Sequence, residues 1–157
     1  MDKLTAMIKR HEGFRQYPYK DSLGVLTIGY GFNLDHWMAH GISTEEADAL
    51  LGAKIGIAAR EASRIPGWEN CNDVRRAVLV DMTYNMGISR TMKFKKMIEA
   101  LKIKNFQEAA AQILDSRFAR QTKKRAVELA AMMYFGEWYE NITKDKKYRE
   151  LEESLFK

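Results

Sequence analysis

The sequence predicts an α+β protein, on three observations. The Gly- and Tyr-rich segment EGFRQYPYKDSLGVLTIGYGF (12–32) holds two β-prone runs separated by a turn signal. Ser43 and Glu46 form a capping box that opens the longest helical pattern in the chain. AVLVDMTYNM (77–86) is apolar on nearly every face, as a central buried helix is. One domain, 1–157, is therefore expected: a small β-containing N-terminal lobe at about 12–45, a connecting helix at about 43–65, and a helical C-terminal lobe at about 68–157 that also takes in the first helix.

Leu4, Met7, Ile8 and His11 recur at helical spacing, so residues 2–11 read as an amphipathic helix that Gly13 ends, with Glu12 at its last turn. Alternation through Phe14–Tyr19, the turn Asp21-Ser22-Leu23-Gly24 and the run Val25–Ile28 predict a hairpin or a three-stranded sheet between 14 and 35. Gly29 and Gly31 suit a sharp bend or a close approach of another chain segment. Ala47, Leu50, Leu51, Ile55, Ala58, Ala62 and Ile65 hold one face of the long helix until Pro66-Gly67 stops it. At 1.5 Å per residue, about 22 residues would span roughly 33 Å. Asn72 caps the next helix, and Thr91–Leu101, Phe106–Asp115 and Lys123–Phe135 follow, the last stopped by Gly136. Leu151, Leu155 and Phe156 among many charges suggest a final surface helix.

An apolar content of 46% is ordinary for a chain that buries a core, and the charge of +5 favours polyanionic partners without choosing among them. Cys71 is the single cysteine, so no intramolecular disulfide forms, and a small semi-buried side chain is expected there. MDKLTAMIKRHEGF (1–14) interrupts each apolar run with charge, and no small-residue cleavage site follows. A protein made soluble in the cytosol, without a membrane span, is the expectation.

Glu12, then Asp21 nine residues on, then Thr27 after six more, is a layout suited to cleaving a glycosidic bond. One carboxyl group must protonate the leaving oxygen, and a second carboxylate must steer water or stabilise the positive sugar. The proton donor needs a desolvated setting, and Glu12, between an apolar helix and a Phe/Tyr-rich strand, is expected to be half-buried. Asp21 in a polar turn supplies the ionised partner, and Thr27 can hold a water beside it. A helix-terminal Glu and a turn Asp serving only as caps and solvated groups is the plainer alternative.

The surrounding residues narrow this. Glu12, Gly13, Arg15, Tyr19, Asp21, Gly24, Thr27, Ile28, Gly29 and Gly31 fit the pattern E-G-x-R-x-x-x-Y-x-D-x-x-G-x-x-T-I-G-x-G of the phage-type (T4-type) lysozymes, which the chain resembles. VRRAVLVDMTYNMG (74–87) is similar to that family's central helix. Ser116, Arg117, Phe118 and Gln121, with Arg125 beyond, are similar to its S-R-W-x-x-Q segment. The resemblance implies a lysozyme-like fold and a muramidase that cuts peptidoglycan between N-acetylmuramic acid and N-acetylglucosamine with inversion. It implies Glu12 as general acid, with Asp21 and Thr27 assisting the attacking water. Gly31 and Phe32 lie in the matching substrate region, Tyr84 and Asn85 match the C-lobe side of the cleft, and Gln112 and Arg117 match positions near the peptide-bearing sugars. It further implies no metal or other cofactor, a monomer, and an endolysin held in the host cytoplasm until a holin-type membrane protein lets it reach the wall from the periplasm. Two departures stand out: Phe32 replaces a common family histidine, and the joint from Asn33 to Gly41 is short.

His36 and His40 are four apart but lack the glutamate of a zinc hydrolase motif, so a surface or structural role is expected. Arg117, Arg120, Lys123, Lys124 and Arg125 form a basic cluster, read as attraction to anionic envelope polymers or as a solvated helix face. Nucleic acid is not expected as a partner, because no recognition motif with interleaved aromatics accompanies the charge. Trp138 and Tyr139 are expected to pack rather than stack on sugars. Two rivals remain: a lytic transglycosylase, for which the Asp21–Thr27 pair would be superfluous, and a non-catalytic basic envelope- or polynucleotide-binding module.

Overall fold

The N-terminal helix α1 (Lys3–Glu12) stops where Gly13 donates its N–H to the Lys9 carbonyl at 3.1 Å. That stop sets Glu12 as the last helical residue. The computed structural model describes residues 3–143, and the chain divides into two units, Met1–Leu50 and Leu51–Lys157. The expected helix bearing Leu151, Leu155 and Phe156 lies outside the described residues.

In the first unit, β1 (Arg15–Lys20), β2 (Leu26–Gly29) and β3 (Phe32–Asn33) form an antiparallel sheet in that spatial order. Turn and alternation signals predicted it. Tyr19 opposes Thr27 and Lys20 opposes Leu26, while Thr27 in turn opposes Asn33. The register shifts between Arg15 and Tyr19. Pro18 lies in that interval, and without an N–H it cannot feed a regular ladder. The joint after the sheet contains a helix the sequence reading did not anticipate, α2 (Leu34–His40). Asn33 ends β3 and caps α2 at once, its Oδ1 accepting the His36 N–H at 2.8 Å.

The capping box forms as expected: Ser43 Oγ accepts from Glu46 N at 3.2 Å, and Glu46 Oε2 accepts from Ser43 N at 2.9 Å. The helix it opens, α3 (Thr44–Ala62), has 19 residues, or about 28 Å, and ends three residues early. There the N–H groups of Arg64 and Ile65 turn back to Glu61 and Ala62, tightening the chain ahead of Pro66. Ala58, Ala62 and Ile65 of the expected apolar face are buried, but Leu50, Leu51 and Ile55 stay nearly half exposed.

The second unit is helical. Its core is centred on Leu79, Met82, Met97, Leu101, Ile113 and Met133, all with no exposed surface. Of the nine methionines, most simply read as core filler, Met82, Met97 and Met133 are buried outright, Met132 nearly so and Met86 in part, whereas Met7, Met38 and Met92 are exposed. Helix α4 (Asp73–Met86) starts at Asn72, whose Oδ1 accepts the Arg75 N–H at 3.0 Å, and ends at Gly87. The single helix expected over 91–101 is two, α5 (Ile88–Thr91) and α6 (Lys95–Lys102). Thr91 is buried with its hydroxyl turned back to the Gly87 carbonyl, and the Lys93 and Phe94 N–H groups make short-range turns, so the chain bends before α6. Then come α7 (Phe106–Leu114), capped by Asn105, and α8 (Arg117–Thr122), an unexpected short helix capped by Ser116. The last two are α9 (Lys124–Phe135) and the four-residue α10 (Tyr139–Ile142).

Arg75 ties α4 to α9, donating to the Met133 and Tyr134 carbonyls at 2.8 and 3.1 Å with its guanidinium 3.7 Å from the Phe106 ring centre. Arg125 makes a two-pronged ion pair with Asp81, both bonds at 2.8 Å, and this bond holds its guanidinium above the usual arginine range. Cys71 is fully rather than partly buried, and burial pushes its thiol above the ordinary range. Tyr139 packs against the core while Trp138 remains half exposed.

Candidate active site

Five of the residues singled out in the sequence belong to the first unit. Glu12 is exposed, not half-buried as expected, because α1 ends on it and the chain turns away at Gly13. Its carboxyl group is nonetheless held close to the sheet. A Cβ at position 31 would lie 3.0 Å from Glu12 Oε2, so the carboxylate rests against bare glycine backbone at the β2–β3 turn. Gly31 also has φ +80°, a left-handed conformation that a side chain disfavours.

Asp21 is half-buried where β1 gives way to the turn. Its Oδ1 accepts two backbone N–H groups, from Leu23 at 2.8 Å and Val25 at 2.9 Å, which fixes the carboxylate and leaves Oδ2 without a protein partner among the described residues. Asp21 N–H also donates to the Val25 carbonyl, so the ladder continues one step beyond β1 and Asp21 opposes Val25. Residues two apart in a strand share a face. Thr27, two beyond Val25, therefore lies on the same face as Asp21, one diagonal step along it. Thr27 is buried and its hydroxyl donates to the Val25 carbonyl at 3.1 Å, so its lone pairs are left to accept.

Phe32 presents an exposed ring beside Gly31. One edge lies on Gly29, where a Cβ would sit 3.0 Å from the ring, and the ring stacks with Trp37 of α2 at 6.0 Å and 20°. Helix α2, not expected from the sequence, thus supplies the backing for the exposed aromatic at position 32. The rings of His36 and His40 stack at 4.5 Å on the same helix. Among the described residues, no group of three or more His, Cys, Asp or Glu could hold a metal ion, and no helix is long and apolar enough to cross a membrane.

In the second unit, Asn85, Gln112 and Arg117 line one cavity of about 730 Å³, together with Met86, Phe94 and Phe118. The end of α4, the start of α6, the end of α7 and the start of α8 converge on it. Tyr84 does not join them. It lines a separate apolar hollow of about 510 Å³ with Leu51, Ile55, Val80 and the Asp81–Arg125 pair, because one residue along a helix turns a side chain by about 100°. The cavity's cations, Arg90, Lys93, Lys95 and Lys96, were not among the site residues expected from the sequence. Their signal was present as the run Lys93-Phe94-Lys95-Lys96.

Comparison with known proteins places the chain as a whole. Residues 9–131 match the family model described as phage lysozyme. The chain is 23% identical over 163 residues to "Probable T4-type lysozyme 1" of Dictyostelium discoideum, covering 87% of this chain and 96% of that protein. It is 25% identical over 167 residues to "Probable T4-type lysozyme 2" of the same organism, with the same coverage. It is also 26% identical over 159 residues to the "Pre-baseplate central spike protein Gp5" of Enterobacteria phage T4, covering 85% of this chain and 28% of that protein.

Proposed function

Since the chain belongs to the phage lysozyme family, whose T4-type members are glycoside hydrolases acting on peptidoglycan, we propose that it hydrolyses the β-1,4 bond between N-acetylmuramic acid and N-acetylglucosamine with inversion. Glu12 gives its proton to the glycosidic oxygen as the bond to the anomeric carbon breaks. A water held between Thr27 and Asp21 attacks that carbon from the opposite side. The bonding around the two residues suits this. Thr27 has spent its hydroxyl proton on Val25 and can only accept, as can Asp21 Oδ2, so the water points both protons at the protein and its lone pair at the sugar. Asp21 takes one proton and passes it to solvent, Glu12 regains one from solvent, and no covalent sugar adduct forms.

The observation that carries this reading is the closeness of Glu12 to Gly31 on the sheet that also bears Thr27 and Asp21. Phe32 offers its exposed ring to a sugar. The cavity lined by Asn85, Gln112 and Arg117 receives the peptide-bearing part of the glycan. On the same reading the protein is a monomeric endolysin, stored in the host cytoplasm and released to the wall through a holin-type membrane partner.

Digestion of purified peptidoglycan tests the chemistry. Each cut should add the mass of one water, and the first product seen by proton NMR should be the α-anomer of the new reducing end. A 1,6-anhydro product would instead identify a transglycosylase, and an initial β-anomer would indicate retention. Binding to walls without any product would identify a non-catalytic module. Gly31→Ala should lower stability by about 1–2 kcal/mol through its left-handed backbone, read by thermal melting. It should also cut the rate at temperatures well below the melt, because the new methyl displaces the Glu12 carboxyl group.

A further inference from the structure

Around the cavity of the second unit stand Arg90, Lys93, Lys95, Lys96 and Arg117, against one acid, Asp115. All five cations are exposed, and none has an ion-pair partner among the described residues. The floor is different in kind: Met97 and Phe118 are buried, and Phe94 is half-buried. Gln112 donates one amide N–H to Glu108 at 2.8 Å, which leaves its second N–H and its oxygen without a protein partner among the described residues. An apolar floor under a cationic rim, with the side-chain amides of Asn85, Gln112 and Gln121 between them, suits a short acidic peptide better than an uncharged sugar.

The placement of two of the lysines works against the fold. Lys95 and Lys96 occupy the first turn of α6, where the helix carries no acid and no side-chain cap. The first turn of a helix is its positive end, so cations there reduce its stability. Charges kept where they weaken the local structure, at the mouth of a cavity, are better explained by what enters the cavity than by folding.

We propose that Arg90, Lys93, Lys95 and Lys96 make this cavity select peptidoglycan whose stem peptides carry free carboxylates over peptidoglycan in which those groups are amidated. The proposal rests on the muramidase reading for its substrate but assigns these four residues no part in bond cleavage.

The test compares walls with free carboxylates and the same walls amidated with carbodiimide and ammonia. Wild-type protein should show about a tenfold higher kcat/KM on the free-carboxylate walls, at the lower end of what a focused charge patch gives. Changing Arg90, Lys93, Lys95 and Lys96 together to Gln should bring that ratio to near one, chiefly by lowering kcat/KM on the free-carboxylate walls, and raise rather than lower the Tm. Changing Lys3, Lys54, Arg60 and Arg64 to Gln removes the same charge elsewhere and should preserve the ratio. A wild type without preference, or equal loss of preference in the two variants, would overturn the proposal. Cosedimentation of the Glu12→Gln protein with both walls reads selectivity without cleavage. A binding preference in a wild-type protein that cleaves neither wall would therefore sink the muramidase reading while upholding the selectivity.

Discussion

Glu12→Gln should reduce the clearing of peptidoglycan suspensions by about 10²–10⁴-fold, the range a positioned general acid contributes. The melting temperature should hardly move. Glu12 is exposed, it ends α1 rather than supporting its interior, and the amide has the same shape against Gly31 as the carboxyl group. Surface substitutions of this kind usually change stability by less than about 0.5 kcal/mol. Sedimentation with walls should also persist, since the residues assigned to binding are untouched. Activity above about a tenth of wild type would remove Glu12 from the proton-donor role. A large fall in Tm would mean that the lost rate reports folding rather than chemistry.

The local geometry of the candidate site in the first unit was legible in the sequence. Asp21 finds both of its N–H partners within four residues, and Gly31 follows the β-prone run that carries Thr27. Turn chemistry of that range is written in adjacent residue types. Burial is not, and this is why the expected half-buried setting of Glu12 failed: the turn at Gly13 carries the chain away before anything covers the side chain. Helix α2 escaped notice because Asn33 serves a strand and a helix cap together, leaving no spacer residues to announce the change. The break between α5 and α6 depends on Thr91 being buried, a tertiary demand that overrode a continuous helical pattern. The cationic cavity was hidden for a related reason. Asn85, Lys95, Gln112 and Arg117 come from four different helices, and only packing of the helical core brings them to one wall. Tyr84 and Asn85, adjacent in sequence and expected on one side of the cleft, line different hollows.

Gly67→Ala should be the most damaging single methyl addition in the second unit. Gly67 has φ +91°, and a Cβ there would lie 2.7 Å from Leu101 Cβ, 2.8 Å from the Leu101 carbonyl carbon and 2.9 Å from the Lys102 nitrogen. Two of those three atoms are backbone, so no rotamer change relieves the overlap. Either the turn after α3 or the end of α6 must move. Asn70 makes that movement costly. Its side-chain amide donates to the Leu101 and Lys102 carbonyls at 3.1 and 3.0 Å, closing the C-terminal end of α6 that the new methyl would push away. Leu101 itself is fully buried in the core, so a shift there disturbs its packing too. The left-handed backbone alone costs an alanine about 1–2 kcal/mol, and overpacking adds about 1–3 kcal/mol. A total near 3–4 kcal/mol corresponds to a fall in Tm of roughly 10 °C for a chain of this size. The outcome can be separated from any effect on catalysis by assaying well below the melt, where folded Gly67→Ala protein should clear peptidoglycan at close to the wild-type rate. A loss under about 1 kcal/mol in urea titration would mean that the turn and the end of α6 do not approach as closely as these distances require.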